Sequence, residues 1–175
     1  MTTDPIRLPP DELARLVVDA ATTADREGFW SGAGTAARDA LQHLSRFLGL
    51  LLAGDDELHA AELELFGRVF EAVSGDRPSE QVLRATAMSS VEMASDPDAL
   101  YAFLQETPEY LRALVAMDRE RGTRNAEQAV TALGGLALGM LTADGREAAE
   151  EDSILTAHLN HLRGVLQSEG VDVPR

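Results

Sequence analysis

Along this 175-residue chain the apolar residues recur three and four positions apart, and no run alternates apolar with polar between turn residues. That period draws a stripe down one side of an α-helix. The fold expected is therefore all-α, a single-domain helical bundle of about seven or eight helices, with no linker to divide it. Pro9, Pro10 and Asp11 open a first helix with Leu13, Leu16, Val17 and Ala20 on one face, ending before Gly28. A second runs from about Thr35 to Ala53, with Leu41, Leu44, Leu48 and Leu51 inward, and Ala60 to Ser74 forms a third around Leu63, Phe66, Val69, Phe70 and Val73. Ser79 caps a fourth, Asp96 and Pro97 open a short fifth, and Thr107 and Pro108 a sixth, which Gly122 stops after Arg121. Asn125 caps a seventh reaching Thr142, and the last runs from about Ala148 to Leu166.

The charge narrows the partners. With 30 acidic against 15 basic residues the net charge is −15, which repels a phosphate backbone or an anionic membrane and leaves cations and basic protein surfaces. There is no cysteine, so disulfides and thiolate metal sites are excluded and a cytoplasmic setting is expected. The start, MTTDPIRLPPDE, has no basic-then-apolar pattern of a signal peptide. The longest uncharged run, Gln128 to Ala143, is too short to span a bilayer; its Gly134, Gly135 and Gly139 suit close helix packing instead.

An internal repeat organises the chain. Sliding it by 89 residues lays Leu44 on Leu133, Leu51 on Met140, Leu52 on Leu141, Leu65 on Ile154, Phe66 on Leu155 and Phe70 on Leu159. The acidic pair Asp55 and Glu62 falls on Asp144 and Glu151, so each copy is a long apolar helix, an acidic loop and a second helix. The second loop reads Thr142-Ala143-Asp144-Gly145-Arg146-Glu147-Ala148-Ala149-Glu150-Glu151; the first, from Ala53 to Glu62, has Asp56 where the glycine would stand. An apolar helix ending in Ala-Asp-Gly before a helix that begins with Glu resembles the TerB-like domain of tellurite-resistance operons and of certain J-domain co-chaperones. The resemblance covers about Thr35 to Arg163. It implies a bundle of two pseudo-symmetric halves, a non-enzymatic role in bacterial stress response, and the acidic loops as cation sites. The organisation expected is a helix and tryptophan loop over 1–34 packed on a TerB-like domain over 35–166, with a flexible tail over 167–175.

The residues offer these candidates for chemistry. Asp55, Asp56 and Glu62 in one loop and Asp144, Glu147 and Glu151 in the other supply the oxygen ligands that calcium or another divalent cation takes. Neither loop has the EF-hand ladder, and turn-starting Asp with first-turn Glu accounts for the same residues without metal. His158 and His161 are one helical turn apart near Glu151 and Asp152, but His158 shares the face of Leu155, Leu159 and Leu162, as a hydrogen-bonded core histidine does. Phosphate loops, nucleophile elbows and Glu-x-x-His pairs are absent. Phe29, Trp30, Tyr101, Phe103 and Tyr110 are aromatics of the kind that anchor partners, although a lone tryptophan more often folds back onto its own domain. The function expected is a non-catalytic interaction or sensing module with a basic protein partner, homodimerisation being open. The alternatives are a metal-free acidic adaptor and a carboxylate metal-dependent hydrolase.

Overall fold

The computed structural model of the chain describes residues 8–52, 59–142 and 149–171, the side chains of 149–152 excepted. Among the described residues there are eight helices and no strand: α1 Pro10–Arg26, α2 Ala36–Leu52, α3 Ala60–Ser74, α4 Glu80–Ala94, α5 Pro97–Leu104, α6 Glu109–Arg121, α7 Asn125–Leu141 and α8 Ala149–Ser168. Proline and the N-caps set the starts. Pro10 and Pro97 sit in first turns, where a missing N–H costs nothing, and the Ser79 and Asp96 side chains accept backbone N–H groups of α4 and α5. Gly122 ends α6 in the left-handed region at φ 67°, where a Cβ would be strained.

The repeat reappears in the helix bounds. α2 and α7 have 17 residues each and coincide end to end under the 89-residue shift, and α3 and α8 begin at the equivalent residues Ala60 and Ala149. Between the copies lie α4, α5 and α6. The centre is α1, packed against α7, α2, α3 and α6 through Leu13, Ala14, Val17, Ala21 and Ala24, all buried. The N-terminal helix is thus part of the same core as the repeat. α4 covers α2, and α8 rests on α7 with its edges against α2 and α5. Of the glycines expected to allow close packing, Gly139 faces Pro10 of α1, where a Cβ would lie 3.2 Å from its ring, and Gly134 faces Leu159 of α8. The tightest approach is Gly49 of α2 against Ser90 of α4, where a Cβ would collide with the hydroxyl.

Three helix starts are capped from a neighbouring helix. Asp25 of α1 accepts the Ala36 N–H of α2 at 3.2 Å, and Asp39 of α2 accepts the Tyr110 N–H of α6 at 2.9 Å. Asp118 of α6 accepts the N–H groups of Asn125 and Ala126 at 2.9 and 2.7 Å, the Asn125 side-chain amide and the Thr123 hydroxyl. The carboxylate meets the positive end of each helix dipole. The caps expected from Thr107 and Asn125 are therefore supplied by Asp39 and Asp118, and Thr107 pairs with the His161 ring at 3.1 Å instead. α8 continues through Ser168, where Arg119 binds the Glu169 carbonyl at 3.0 Å and Val171 packs on the core. Among the described residues no helix is long and apolar enough to cross a membrane.

Candidate functional site

Where α2, α5, α6 and α8 meet, polar groups converge inside the core. His43 faces inward from α2 between Ala40 and Phe47, and His158 faces it from α8; they are 4% and 0% exposed. Their Nε2 atoms are 2.8 Å apart. His43 Nδ1 lies 3.1 Å from the Tyr110 hydroxyl at the start of α6, and His158 Nδ1 lies 3.2 Å from the Leu104 carbonyl at the end of α5. Phe47 and Phe103 close the sides, their ring centroids 5.3 and 4.8 Å from that of His158.

The blind end of this chain fixes every proton in it. A carbonyl oxygen only accepts, so His158 Nδ1 carries the hydrogen donated to Leu104. A neutral His158 then has its lone pair at Nε2, which accepts from His43 Nε2–H. The lone pair left on His43 Nδ1 accepts from the Tyr110 hydroxyl. Two neutral rings in opposite tautomers satisfy all six atoms of the chain, and burial favours that state. The His43 imidazole is held well below its ordinary value by burial, then by His158 and Arg46. Burial pushes His158 down to about 4 against the opposing Leu104 hydrogen bond, with His161 and Arg46 adding to the lowering. Burial, then the Asp39 charge, raises the Tyr110 phenol above the ordinary tyrosine range.

An ion pair caps this cluster. The Arg46 guanidinium lies 2.7 Å from Glu106 and 4.7 Å from the centroid of the Phe103 ring. Beside it opens a cleft of about 320 Å³ lined by Asp39, Gln42, His43, Arg46, Glu106 and Pro108, so the edge of His43 is its route to solvent.

The residues expected to hold a cation are placed differently. Asp55, Asp56, Asp144 and Glu147 lie outside the described residues, and Glu151 is described only as backbone in the first turn of α8. Glu62 is buried, and its carboxylate accepts the His59 backbone N–H at 3.0 Å in a capping box at the start of α3. Among the described residues no three His, Asp or Glu side chains come together as a metal site. The rings of His158 and His161 turn to different partners, His43 and Thr107. Of the aromatics, Phe103 and Tyr110 are buried, which removes them as surface anchors, while Tyr101 is exposed. Trp30 folds back over Gly32, half-buried, with its indole N–H on the Gly34 carbonyl at 3.1 Å.

His158 was legible as a core histidine; its partner His43 was missed. The signal was there, since His43 stands three residues after Ala40 and four before Phe47 on the apolar face of α2. Comparison with protein-family models, with curated proteins and with solved structures finds no match to this chain.

Proposed function

We propose that the chain is a non-catalytic, TerB-like interaction and sensing module of the bacterial cytosol, acting in a tellurite-type stress response through an acidic surface that docks a basic protein. The observation that carries this reading is the closure of the polar cluster. The nitrogens of His43 and His158 and the phenol of Tyr110 are each taken up by another protein group, so the cluster ties helices together and leaves the surface carboxylates to meet a ligand. The TerB-like assignment is supported by the coincidence of α2 with α7 under the repeat and by the sequence Ala143-Asp144-Gly145. A divalent cation held by Asp55, Asp56, Glu62, Asp144, Glu147 and Glu151 is the finer form of the proposal. In it Glu62 would give up its cap on His59, which makes Asp55 and Asp144 the better positions to test.

Affinity capture from the source cell tests the module. A discrete basic partner should be retained at about 50 mM salt, lost by about 500 mM as screening rises, and indifferent to a chelator. Loss of the partner on chelation, with a thermal shift from one divalent ion that Asp55→Asn or Asp144→Asn abolishes, would favour the cation form. No partner under any of these conditions would contradict the module.

A further inference from the structure

We infer that the chain of hydrogen bonds Tyr110–His43–His158–Leu104 is an acid-released latch: uptake of one proton breaks it, and α8 with the end of α5 comes away from α2. This gives the sensing half of the proposed function a stimulus. It is tested on the isolated protein, so failure to find a partner and failure of the latch are separate results.

Proton counting carries the inference. With both rings neutral, two of the four ring nitrogens bear hydrogens; one added proton makes three. His158 Nδ1 must keep its hydrogen, because Leu104 can only accept. The contact between the two Nε2 atoms holds one hydrogen and one lone pair. The third hydrogen therefore sits on His43 Nδ1, whichever ring takes the charge. There it faces the Tyr110 oxygen, which must turn from donor to acceptor. The phenol's own hydrogen is then stranded on a hydroxyl that is buried and has no second hydrogen-bond partner among the described residues. The chain thus has no arrangement that accommodates a proton, and opening, which hydrates both rings and the phenol, is the way to hold one.

Surrounding charges do not rescue the protonated state. On α2, Arg46 opposes it, and the Asp39 carboxylate, held on the Tyr110 N–H, acts on the phenol rather than on the His43 ring. Glu106, between α5 and α6, is paired with Arg46, and His161 on α8 adds to the opposition. From α5 comes the Phe103 ring, and from α4 Met93, whose sulfur is 4.0 Å from Arg46. The single titratable residue of α7, Glu127, is tied to Arg124 at the other end of that helix. The fold itself does not require the device. Under the repeat His43 and His158 correspond to Ala132 and Val69, both buried and apolar, so one junction titrates and its counterpart does not.

Amide hydrogen exchange on the whole chain, followed residue by residue at about pH 7.5 and about pH 5.5 and corrected for intrinsic rate, reads the latch. Each ring freed by opening should raise the opened population of α8 and the end of α5 roughly tenfold per pH unit below the free imidazole value. The amides of α1 and α3 follow global unfolding and lose protection with it, but should stay at least about tenfold better protected than those of α8 at both pH values. His43→Leu with His158→Leu, which keeps the volume and removes the titrating groups, should leave α8 protection flat across the same range. Acid opening that persists in that variant, α8 protection that does not respond in the wild type, or equal protection of α8 and α1 at both pH values would each overturn the latch. Should the double variant fail to fold, the wild-type comparison of α8 with α1 and α3 decides alone.

Discussion

The two copies of the repeat share a 17-residue first helix and differ in their surroundings. α2 is covered on its outer side by α4, and its Gly49 lets the two helices nearly touch. The equivalent residue of α7 is Leu138, which is about half exposed at 49%. α8 lies along α7, whereas α3 leans chiefly on α1. At the junction of α2 with α8 stand two histidines; the corresponding residues of α7 and α3 are Ala132 and Val69. One repeated pair of helices thus supports a dry junction and a wired one. The lesson is that the wiring is an addition to the fold, and its consequences should be confined to one side of the molecule.

The largest effect should separate the two junctions directly. His158→Ala removes a ring and strands the Leu104 carbonyl and the His43 N–H, at a cost of about 4 kcal/mol in denaturant unfolding. Val69→Ala leaves only a small cavity and should cost about 2 kcal/mol. Equal losses would mean the hydrogen-bond chain contributes nothing beyond packing.

Acid should act on the histidine junction alone. Both rings titrate below the free imidazole value in the folded chain, His158 down at about 4, so between that value and the ordinary 6.5 the unfolded chain holds more protons. Their contribution is fully present above the unfolded value and is lost as pH falls through this window. Stability should drop by about 3 kcal/mol from about pH 7.5 to about pH 5.5, and the double leucine variant should lose that dependence. A pH-independent midpoint in the wild type would break the contrast between the junctions.

Two smaller effects sharpen it. Gly49→Ala pushes α2 off Ser90 and should cost about 1–3 kcal/mol, while Leu138→Ala at the equivalent exposed position should change stability by less than about 0.5 kcal/mol. Glu62→Ala removes the cap of α3 and should cost about 1 kcal/mol, read as a shift in the urea midpoint. Glu151→Ala in the second copy then shows whether the shared spacing carries a shared cap.

Helix ends were read well from sequence where the signal is local. Pro10, Ser79, Asp96 and Gly122 act within a turn of themselves, and α3 runs from Ala60 to Ser74 as the spacing predicts. The repeat was legible for the same reason: turn, charge and stripe recur together. What escaped was non-local. The caps by Asp25, Asp39 and Asp118 join helices distant in sequence or separated by a turn, and side-chain spacing on one helix does not announce them. His43 and His158 are 115 residues apart, and each alone looks like an isolated polar residue on an apolar face. Only folding brings them nose to nose.

Three hydrogens wire the junction, one on Tyr110 and one on each ring, and long-range proton–nitrogen correlation of the imidazole rings reads the two ring hydrogens directly. At neutral pH the account predicts two neutral rings in opposite tautomers, His158 protonated at Nδ1 and His43 at Nε2, both staying neutral well below the pH at which a free imidazole titrates. A charged ring at neutral pH, two rings in the same tautomer, or titration at the free imidazole value would contradict it.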